Sequence, residues 1–168
     1  MTIESIMSRD VHHCRPDDTL DSPAARMWDH DCGCLPVCAS DGEGEPRVIG
    51  MLTDRDICMA ALFQGKPLHE LKVADAMSRD IRVSKVDDRP EDVELLMREQ
   101  QIRRVPVTDD AGALVGIVSL ADFARAAREG AASQSQGDPN AGDVSEREVG
   151  HTLAAICERG RPRINPST

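Results

Sequence analysis

The chain has 168 residues, of which only 2% are aromatic, and it carries a formal net charge of −10 at pH 7. The length allows one domain or two small ones with an aliphatic core, while the acidic charge and the few aromatic rings argue against nucleic-acid binding. The sequence shows no signal-peptide pattern and no apolar stretch of membrane-spanning length, so we expect a cytoplasmic protein that binds neither nucleic acid nor membranes.

The chain contains an internal repeat. Residues 6–11 (IMSRDV) match residues 76–81 (AMSRDI) at an offset of 70, and LPV at 35–37 matches VPV at 105–107 at the same offset. The offset then falls to 66 between Gly50 and Gly116, because the first copy has four extra residues in the polar turn 41–46. Two similar structural units are therefore expected.

Each repeat predicts the element order β-α-β-β-α. A short strand at 11–14 or 81–84 leads through an Asp-Asp turn into a helix, with Thr19 as the expected N-cap in the first copy and Pro90 at the first helical position in the second. Apolar residues recur at helical spacing in both helices: Leu20, Ala24, Met27 and Trp28, then Val93, Leu96 and Met97.

An x-Pro-Val strand, a Gly-containing strand and a second helix complete each unit. We therefore predict an α+β fold in which two units, residues 1–64 and 72–128, pair about a pseudo-twofold axis through a linker at 65–71. Residues 129–142 lack apolar periodicity and are predicted to be a flexible linker. Residues 143–168 are predicted to form a tail with a short helix that Ser145 or Asp143 caps. This helix is expected to dock on the repeats or on a partner.

Both Gly-containing strands run into a Thr/Ser-x-x-Asp motif at a helix start. The motif residues are Thr53 and Asp56 in the first copy, and Ser119 and Asp122 in the second. A helix N-terminus favours anions, the Gly leaves room beside the backbone, and a carboxylate can accept two hydrogen bonds from a ribose diol. The same spacing also approximates a capping box, in which hydroxyl and acid only satisfy backbone amides.

The repeats resemble cystathionine-β-synthase (CBS) domains in their size and in three motifs: Met-Ser-Arg-Asp, x-Pro-Val and Gly-x-hydrophobic-Thr/Ser-x-x-Asp. The tandem pair resembles a Bateman module, over residues 1–128, and small stand-alone bacterial CBS-pair proteins of the hypoxic-response type. The resemblance implies a non-catalytic regulatory homodimer. It also implies clefts between the repeats that hold an adenosine-containing ligand such as AMP, ADP, ATP or S-adenosylmethionine, with no required cofactor.

The resemblance also implies which residues contact that ligand. Thr53 and Asp56 would contact the ribose of one site, and Ser119 and Asp122 that of the other. Basic side chains near the two turns would bind phosphates, although an ordinary solvated surface explains them equally well. The predicted nucleotide-binding residues are Thr53, Arg55, Asp56, Arg104, Ser119 and Asp122. Arg103, next to Arg104, completes a basic pair.

The six cysteines suggest thiols rather than a disulfide framework. Cys32 and Cys34 are one residue apart, which matches no usual zinc spacing, so no metal site is predicted. Cys14 and Cys38 end strands that are expected to be neighbours, so a disulfide between them is geometrically allowed. A thiol redox switch through these two cysteines is therefore one alternative function. The other alternative is a stress-related module that binds an unknown protein partner and leaves its ligand sites unoccupied.

Overall fold

The computed structural model describes residues 1–40, 45–134 and 144–158. The helices are α1 (Asp21–Asp29), α2 (Asp54–Gln64), α3 (Val73–Ala76), α4 (Pro90–Gln100), α5 (Leu120–Gln134) and α6 (Glu146–Cys157). The strands are β1 (Cys34–Ala39), β2 (Arg47–Thr53), β3 (Ser84–Lys85), β4 (Arg104–Thr108) and β5 (Leu114–Ser119). The order β3-α4-β4-β5-α5 confirms the predicted α+β repeat.

The chain folds into two compact units, and each unit combines segments of both repeats. Unit 1 contains Met1–Ser8, Ser84–Val105 and Ile117–Thr168, and unit 2 contains Arg9–Val83 and Pro106–Gly116. Strands β4 and β5 therefore each contribute residues to both units. Within the described residues, no helix is both long enough and apolar enough to cross a membrane.

Unit 2 is built on the antiparallel pair β1 and β2. Leu35 lies opposite Leu52, Val37 lies opposite Gly50, and a bulge follows Val37. The first predicted strand is reduced to one parallel bridge between Cys14 and Val37. The buried core of this unit comprises Cys14, Leu20, Met27, Leu35, Val37, Leu52, Ile57, Leu71, Val73 and Met77.

Gly50 explains why the motif contains glycine. A Cβ atom at this position would lie 2.9 Å from the carbonyl oxygen of Ser78 and 3.0 Å from Sδ of Met77. Ser78 and the neighbouring Met51 form an antiparallel bridge. The space beside this glycine is therefore used by the chain's own backbone rather than left for a ligand.

Unit 1 contains the sheet strand β3 and the helices α4, α5 and α6, and α6 packs against the other two helices. The strands of the second sheet follow the order β3-β4-β5. The N-terminal segment also belongs here, because the Ile3 amide donates to the Asp88 carbonyl at 3.0 Å and Ser8 bridges Ile117. Ile3 is completely buried.

Three local predictions need correction. Thr19 is not the N-cap of α1: Leu20 takes that position without a side-chain hydrogen bond, and Thr19 bridges Lys72 instead. Trp28 is not a core residue, since 86% of it is exposed. Helix α5 continues to Gln134 and so includes the first six residues of the predicted linker 129–142.

Two predictions about helix starts are confirmed, and several others fall outside the described residues. Pro90 occupies the first turn of α4, and Ser145 caps α6. Residues 41–44, 135–143 and 159–168 are not described, so the alternative cap Asp143 and most of the four-residue insertion lie outside the description.

Candidate functional site

The first Thr-x-x-Asp turn joins β2 to α2. Thr53 is the N-cap residue, and its Oγ1 accepts a hydrogen bond from the Asp56 amide at 3.1 Å. The amide and hydroxyl of Thr53 donate to Oδ2 of Asp56 at 2.9 and 2.7 Å. This is a reciprocal capping box. Within the described part of the chain, no hydrogen bond reaches Oδ1 of the half-buried Asp56.

The second turn, between β5 and α5, repeats this geometry. Ser119 donates from its amide to Oδ2 of Asp122 at 2.7 Å, and the Asp122 amide donates to Oγ of Ser119 at 3.3 Å. Oδ1 of Asp122, however, accepts an ion-paired hydrogen bond from Arg125 and a weak one from Ser8 at 3.5 Å. Asp122 is only 4% exposed. Both oxygens of the second carboxylate are therefore engaged.

The ion pair of the second turn comes from one residue that the first turn lacks. Arg125 lies one helical turn after Asp122, and the matching position after Asp56 is Met59, which cannot pair with a carboxylate. Sequence comparison of the two repeats contains this signal, but the pairing only becomes evident once both residues lie on one helix face.

The predicted arginines lie close to the turns. Arg55 is exposed in the first turn of α2, and Arg104 is exposed at the start of β4. The Arg103 carbonyl accepts from the Leu120 amide at 3.0 Å, which holds β4 against the second turn. At the matching place in the first repeat, the Gly33 carbonyl accepts from the Asp54 amide at 3.2 Å. Arg55 therefore belongs to the first turn, while Arg103 and Arg104 adjoin the second turn through β4.

A third box of the same type begins α6. The Glu148 amide donates to Oγ of Ser145 at 3.2 Å, and that hydroxyl donates to Oε2 of Glu148 at 2.8 Å. This pair lies outside the repeats, so the motif caps a helix here without any relation to the repeated turns. Capping alone thus does not distinguish the first two boxes from ordinary helix starts.

Described residues of unit 2 line at least two cavities. One, of about 480 Å³, lies between α1 and α2, and the other, of about 520 Å³, lies beside the loop that precedes α1. The first is lined by Ala24, Met27, Trp28, Asp31, Cys32, Gly33, Asp54, Ile57, Cys58 and Leu68. The second is lined by Val11, His12, His13, Cys14, Arg15, Asp18 and Arg26. Neither cavity includes Thr53 or Asp56 in its lining.

The second cavity, beside the loop that precedes α1, contains basic residues that the sequence analysis did not identify. Arg26 donates to the His13 carbonyl, and the rings of His12 and His30 stack with centroids 3.5 Å apart. Arg15 and Arg26 are distant in sequence and belong to a loop and a helix, so no local motif brings them together. The lining is basic on balance, with Asp18 as its acidic member.

Cys14 and Cys38 are neighbours. The Cys38 amide donates to the Cys14 carbonyl at 2.9 Å, and the Cys14 amide donates to the Pro36 carbonyl at 3.0 Å. Both side chains are thiols, and burial raises the pKa of Cys14 to about 12 and that of Cys38 to about 11. Few thiolates therefore form at neutral pH, which slows disulfide exchange and metal binding.

Comparisons with known proteins identify relatives of the whole repeat pair. A family model described as CBS domain matches residues 3–62 and 73–129. Hypoxic response protein 1 of Mycobacterium tuberculosis is 40% identical over 126 residues, which is 74% of this chain and 83% of that protein. The CBS domain-containing protein YhcV of Bacillus subtilis is 35% identical over 124 residues, which is 73% of this chain and 83% of that protein.

Solved structures give the same picture. The CBS domain pair of protein MJ0100, in complex with 5′-methylthioadenosine and S-adenosyl-L-methionine, superposes with a TM-score of 0.64 at 25% identity, covering 74% of this chain and 94% of that one. The structure of Hypoxic Response Protein I with two coordinated zinc ions superposes with a TM-score of 0.66 at 35% identity. The match covers 74% of this chain and 98% of that one.

The zinc ions of that neighbour can be compared with the residues of this chain. Among the residues that the structure describes, no three His, Cys, Asp or Glu side chains form a group that could hold a metal ion. Cys14 and Cys38 lie together, but both are protonated at neutral pH. The described residues of one chain therefore do not fit a zinc ion.

Proposed function

The chain belongs to the CBS-domain family, and from this premise we propose that it is a non-catalytic regulatory module that binds an adenosine-containing ligand through the Thr53–Asp56 turn. The family membership supports a regulatory ligand-binding role. The MJ0100 pair, which binds 5′-methylthioadenosine and S-adenosyl-L-methionine, supports the ligand class.

The proposal rests on the different surroundings of the two oxygens of the Asp56 carboxylate. Oδ2 is fixed by the Thr53 amide and hydroxyl at 2.9 and 2.7 Å, so the side chain is held in one orientation. Oδ1 keeps its acceptor capacity, and Asp56 is half-buried in the first turn of α2, at a helix N-terminus. A ribose hydroxyl is such a donor, and a charged acceptor strengthens the bond that it makes.

The second turn is expected to bind more weakly. A ribose hydroxyl at Asp122 would have to displace the Arg125 guanidinium from Oδ1, and Asp122 is almost completely buried. Arg104 beside this turn would add attraction for a ligand that carries phosphate. We therefore propose one strong site and one weak site for each chain, with phosphorylated ligands favoured at the weak one.

The test is isothermal titration calorimetry of the full chain with AMP, ADP, ATP, S-adenosylmethionine and 5′-methylthioadenosine. At least one ligand is expected to bind, and Asp56→Asn is expected to weaken it about 10- to 100-fold, because a charged hydrogen bond contributes about 1.5–3 kcal/mol. Glu148→Gln makes the same chemical change in the α6 capping box and is expected to leave affinity unchanged.

Two results would reject the proposal. Equal affinity of Asp56→Asn and the unchanged chain would show that the ligand does not use this carboxylate. Absence of binding by all five ligands would favour the alternative in which the chain is a protein-interaction module and Thr53 and Ser119 only cap helices.

We also propose, as a second candidate function, a thiol switch through Cys14 and Cys38. The adjacency of their backbones supports it, while burial of both thiols predicts slow oxidation. Mass-spectrometric counting of free thiols is expected to give six before oxidation and four after prolonged treatment with diamide, and Cys14→Ser should abolish the loss. Six free thiols after oxidation would reject the switch.

A further inference from the structure

The second cavity of unit 2, beside the loop that precedes α1, reverses the charge balance of the chain. The whole chain has 20 Lys and Arg against 30 Asp and Glu. The lining of this cavity of about 520 Å³ contains two arginines, two histidines and one acid, namely Arg15, Arg26, His12, His13 and Asp18. A polar cavity with more positive than negative side chains favours an anionic ligand.

The acid of the lining is already used by the backbone. Oδ2 of Asp18 accepts a hydrogen bond from the Arg15 amide at 2.9 Å, which closes the turn before α1. Within residues 1–40, 45–134 and 144–158, no ion pair joins this carboxylate to the side chain of Arg15 or Arg26. Neither guanidinium is therefore neutralised by the one acid that lies beside it.

Arg26 is held at the wall of the cavity. It is half-buried in α1, and its Nη1 donates to the carbonyl oxygen of His13. Among the described residues, this is the one hydrogen bond that its guanidinium makes. A guanidinium has five N–H donors in a fixed plane, and pairs of them match two oxygens of a phosphate. The donors that His13 does not use can therefore bind such an oxyanion.

Two stacked imidazole rings fix a further part of the wall. The ring centroids of His12 and His30 lie 3.5 Å apart, with 20° between the ring planes. His30 directly follows α1, so the stack holds His12 against the end of the helix that carries Arg26. An imidazole has one N–H donor when neutral and two when protonated, so His12 can donate to an oxyanion in either state.

We propose that this cavity binds a small molecule that carries a phosphate group, with Arg26 and Arg15 as the main donors to the phosphate oxygens. Its volume is typical of small-molecule sites and leaves room for the organic part of a phosphomonoester. The site goes beyond the proposed function and does not depend on it, because the lining contains no residue of either Thr/Ser-x-x-Asp turn.

The test is titration of the full chain at constant ionic strength, followed by calorimetry and phosphorus NMR. The probes are inorganic phosphate and glycerol 2-phosphate, a phosphomonoester without a vicinal diol. We expect saturable binding with a dissociation constant below about 1 mM. Arg26→Gln should weaken it at least tenfold, because charged hydrogen bonds are lost, and Arg15→Gln, at an exposed residue, about threefold. Tighter binding of the ester would show that the organic group also contributes, and equal binding would show that the phosphate group suffices.

Arg79 provides the matched control. It is exposed in unit 2 and, like Arg26, donates to a main-chain carbonyl, that of Ala74 at 3.2 Å. Arg79→Gln removes the same charge and the same kind of hydrogen bond away from the cavity, so phosphate affinity should not change. 5′-Methylthioadenosine carries no phosphate, and its affinity should be equal in Arg26→Gln and the unchanged chain.

Four results would overturn the proposal. They are absence of saturable binding below about 10 mM, equal phosphate affinity of Arg26→Gln and the unchanged chain, equal losses in Arg26→Gln and Arg79→Gln, and loss of 5′-methylthioadenosine binding in Arg26→Gln. Arg15→Gln decides the question if Arg26→Gln does not fold. Failure of 5′-methylthioadenosine to bind the unchanged chain would count against the proposed function alone.

Discussion

At the scale of residues, the two repeated turns show how one added side chain changes an otherwise equal site. The backbone and the Thr/Ser-x-x-Asp pattern are shared, and both acids use Oδ2 for capping. Arg125 and Ser8 both donate to Oδ1 of Asp122, whereas Met59, at the position that matches Arg125, cannot donate to Oδ1 of Asp56. We infer that the repeats differ in ligand affinity through the exchange of Arg125 for Met59 more than through Arg55 and Arg104.

Arg125→Met should therefore make the second turn resemble the first. We expect the weak site to gain about tenfold in affinity for 5′-methylthioadenosine, which carries no phosphate, because no ion pair has to be broken. Calorimetry would show the gain as a second binding event. Arg128→Met, an exposed change one turn further along α5, is the matched control. An unchanged titration curve for Arg125→Met would contradict the assignment.

Glu94 provides a prediction about pH. Burial, together with the charges of Glu148 and Glu91, raises the pKa of Glu94 from 4.5 to about 7, while Arg98 acts in the opposite direction. The folded chain binds this proton more tightly than the unfolded chain, so stability falls as pH rises from 4.5 towards 7 and stays lower above it. Charged Glu94 thus weakens the α4–α6 contact at alkaline pH.

Glu94→Gln removes that charge. We expect its melting temperature to exceed that of the unchanged chain by several degrees at pH 8, and the difference to disappear near pH 4.5, in differential scanning calorimetry. Glu99→Gln on the exposed side of α4 should show no such dependence on pH. A constant difference at both pH values would mean that Glu94 does not titrate as inferred.

At the scale of elements, periodicity predicted the helices well and their surroundings less well. Val93 and Met97 are buried as the spacing of α4 indicated. Trp28 fits the apolar pattern of α1 equally well, yet it is exposed, because the pattern reports an apolar face and not what covers that face. The docking of α6 was left open for a similar reason: its spacing predicts a helix, but only the packed structure shows that α4 and α5 receive it.

Other misses have local causes. Thr19 is a good capping residue in isolation, but its backbone bridges Lys72, far along the chain, and its side chain bonds Asp21, so Leu20 takes the N-cap position. The boundary of α5 was placed too early because Ala, Arg and Glu continue a helix without apolar spacing. The repeat marked both turns of the candidate site, and their part in ligand binding stays a prediction. The Arg125 pairing was not predicted, because it depends on packing.

Ile156 tests the packing of α6. It is 9% exposed, so Ile156→Ala should cost about 2 kcal/mol of the free energy that holds α6 in place. Hydrogen exchange of α6 amides should accelerate accordingly, by roughly thirtyfold. Leu153→Ala, at a residue 46% exposed on the same helix, should produce a much smaller acceleration. Equal effects of the two variants would contradict the inferred contact.

At the scale of the whole molecule, the repeats and the compact units are different divisions of the chain. Strands β4 and β5 supply residues to both units, and Met1–Ser8 belongs to unit 1 although it begins the first repeat. Neither unit can therefore unfold without disturbing strands that the other uses. We infer that the chain unfolds as one cooperative body.

Scanning calorimetry should accordingly show one transition with equal calorimetric and van't Hoff enthalpies. Ile3→Ala, at a completely buried residue, should lower the midpoint of that single transition by several degrees without dividing it. Thr2→Ala, at the exposed neighbouring position, is the control. Two resolved transitions, only one of them shifted, would show that the units unfold separately.

The pairing of Ser8 with Ile117 has an exact counterpart in the pairing of Ser78 with Met51. In both cases the opening segment of one repeat donates to and accepts from the glycine-bearing strand of the other. A lone repeat would leave this edge of its glycine-bearing strand to be completed by a second polypeptide. In the tandem chain the same exchange takes place within one molecule, where the high effective concentration favours it.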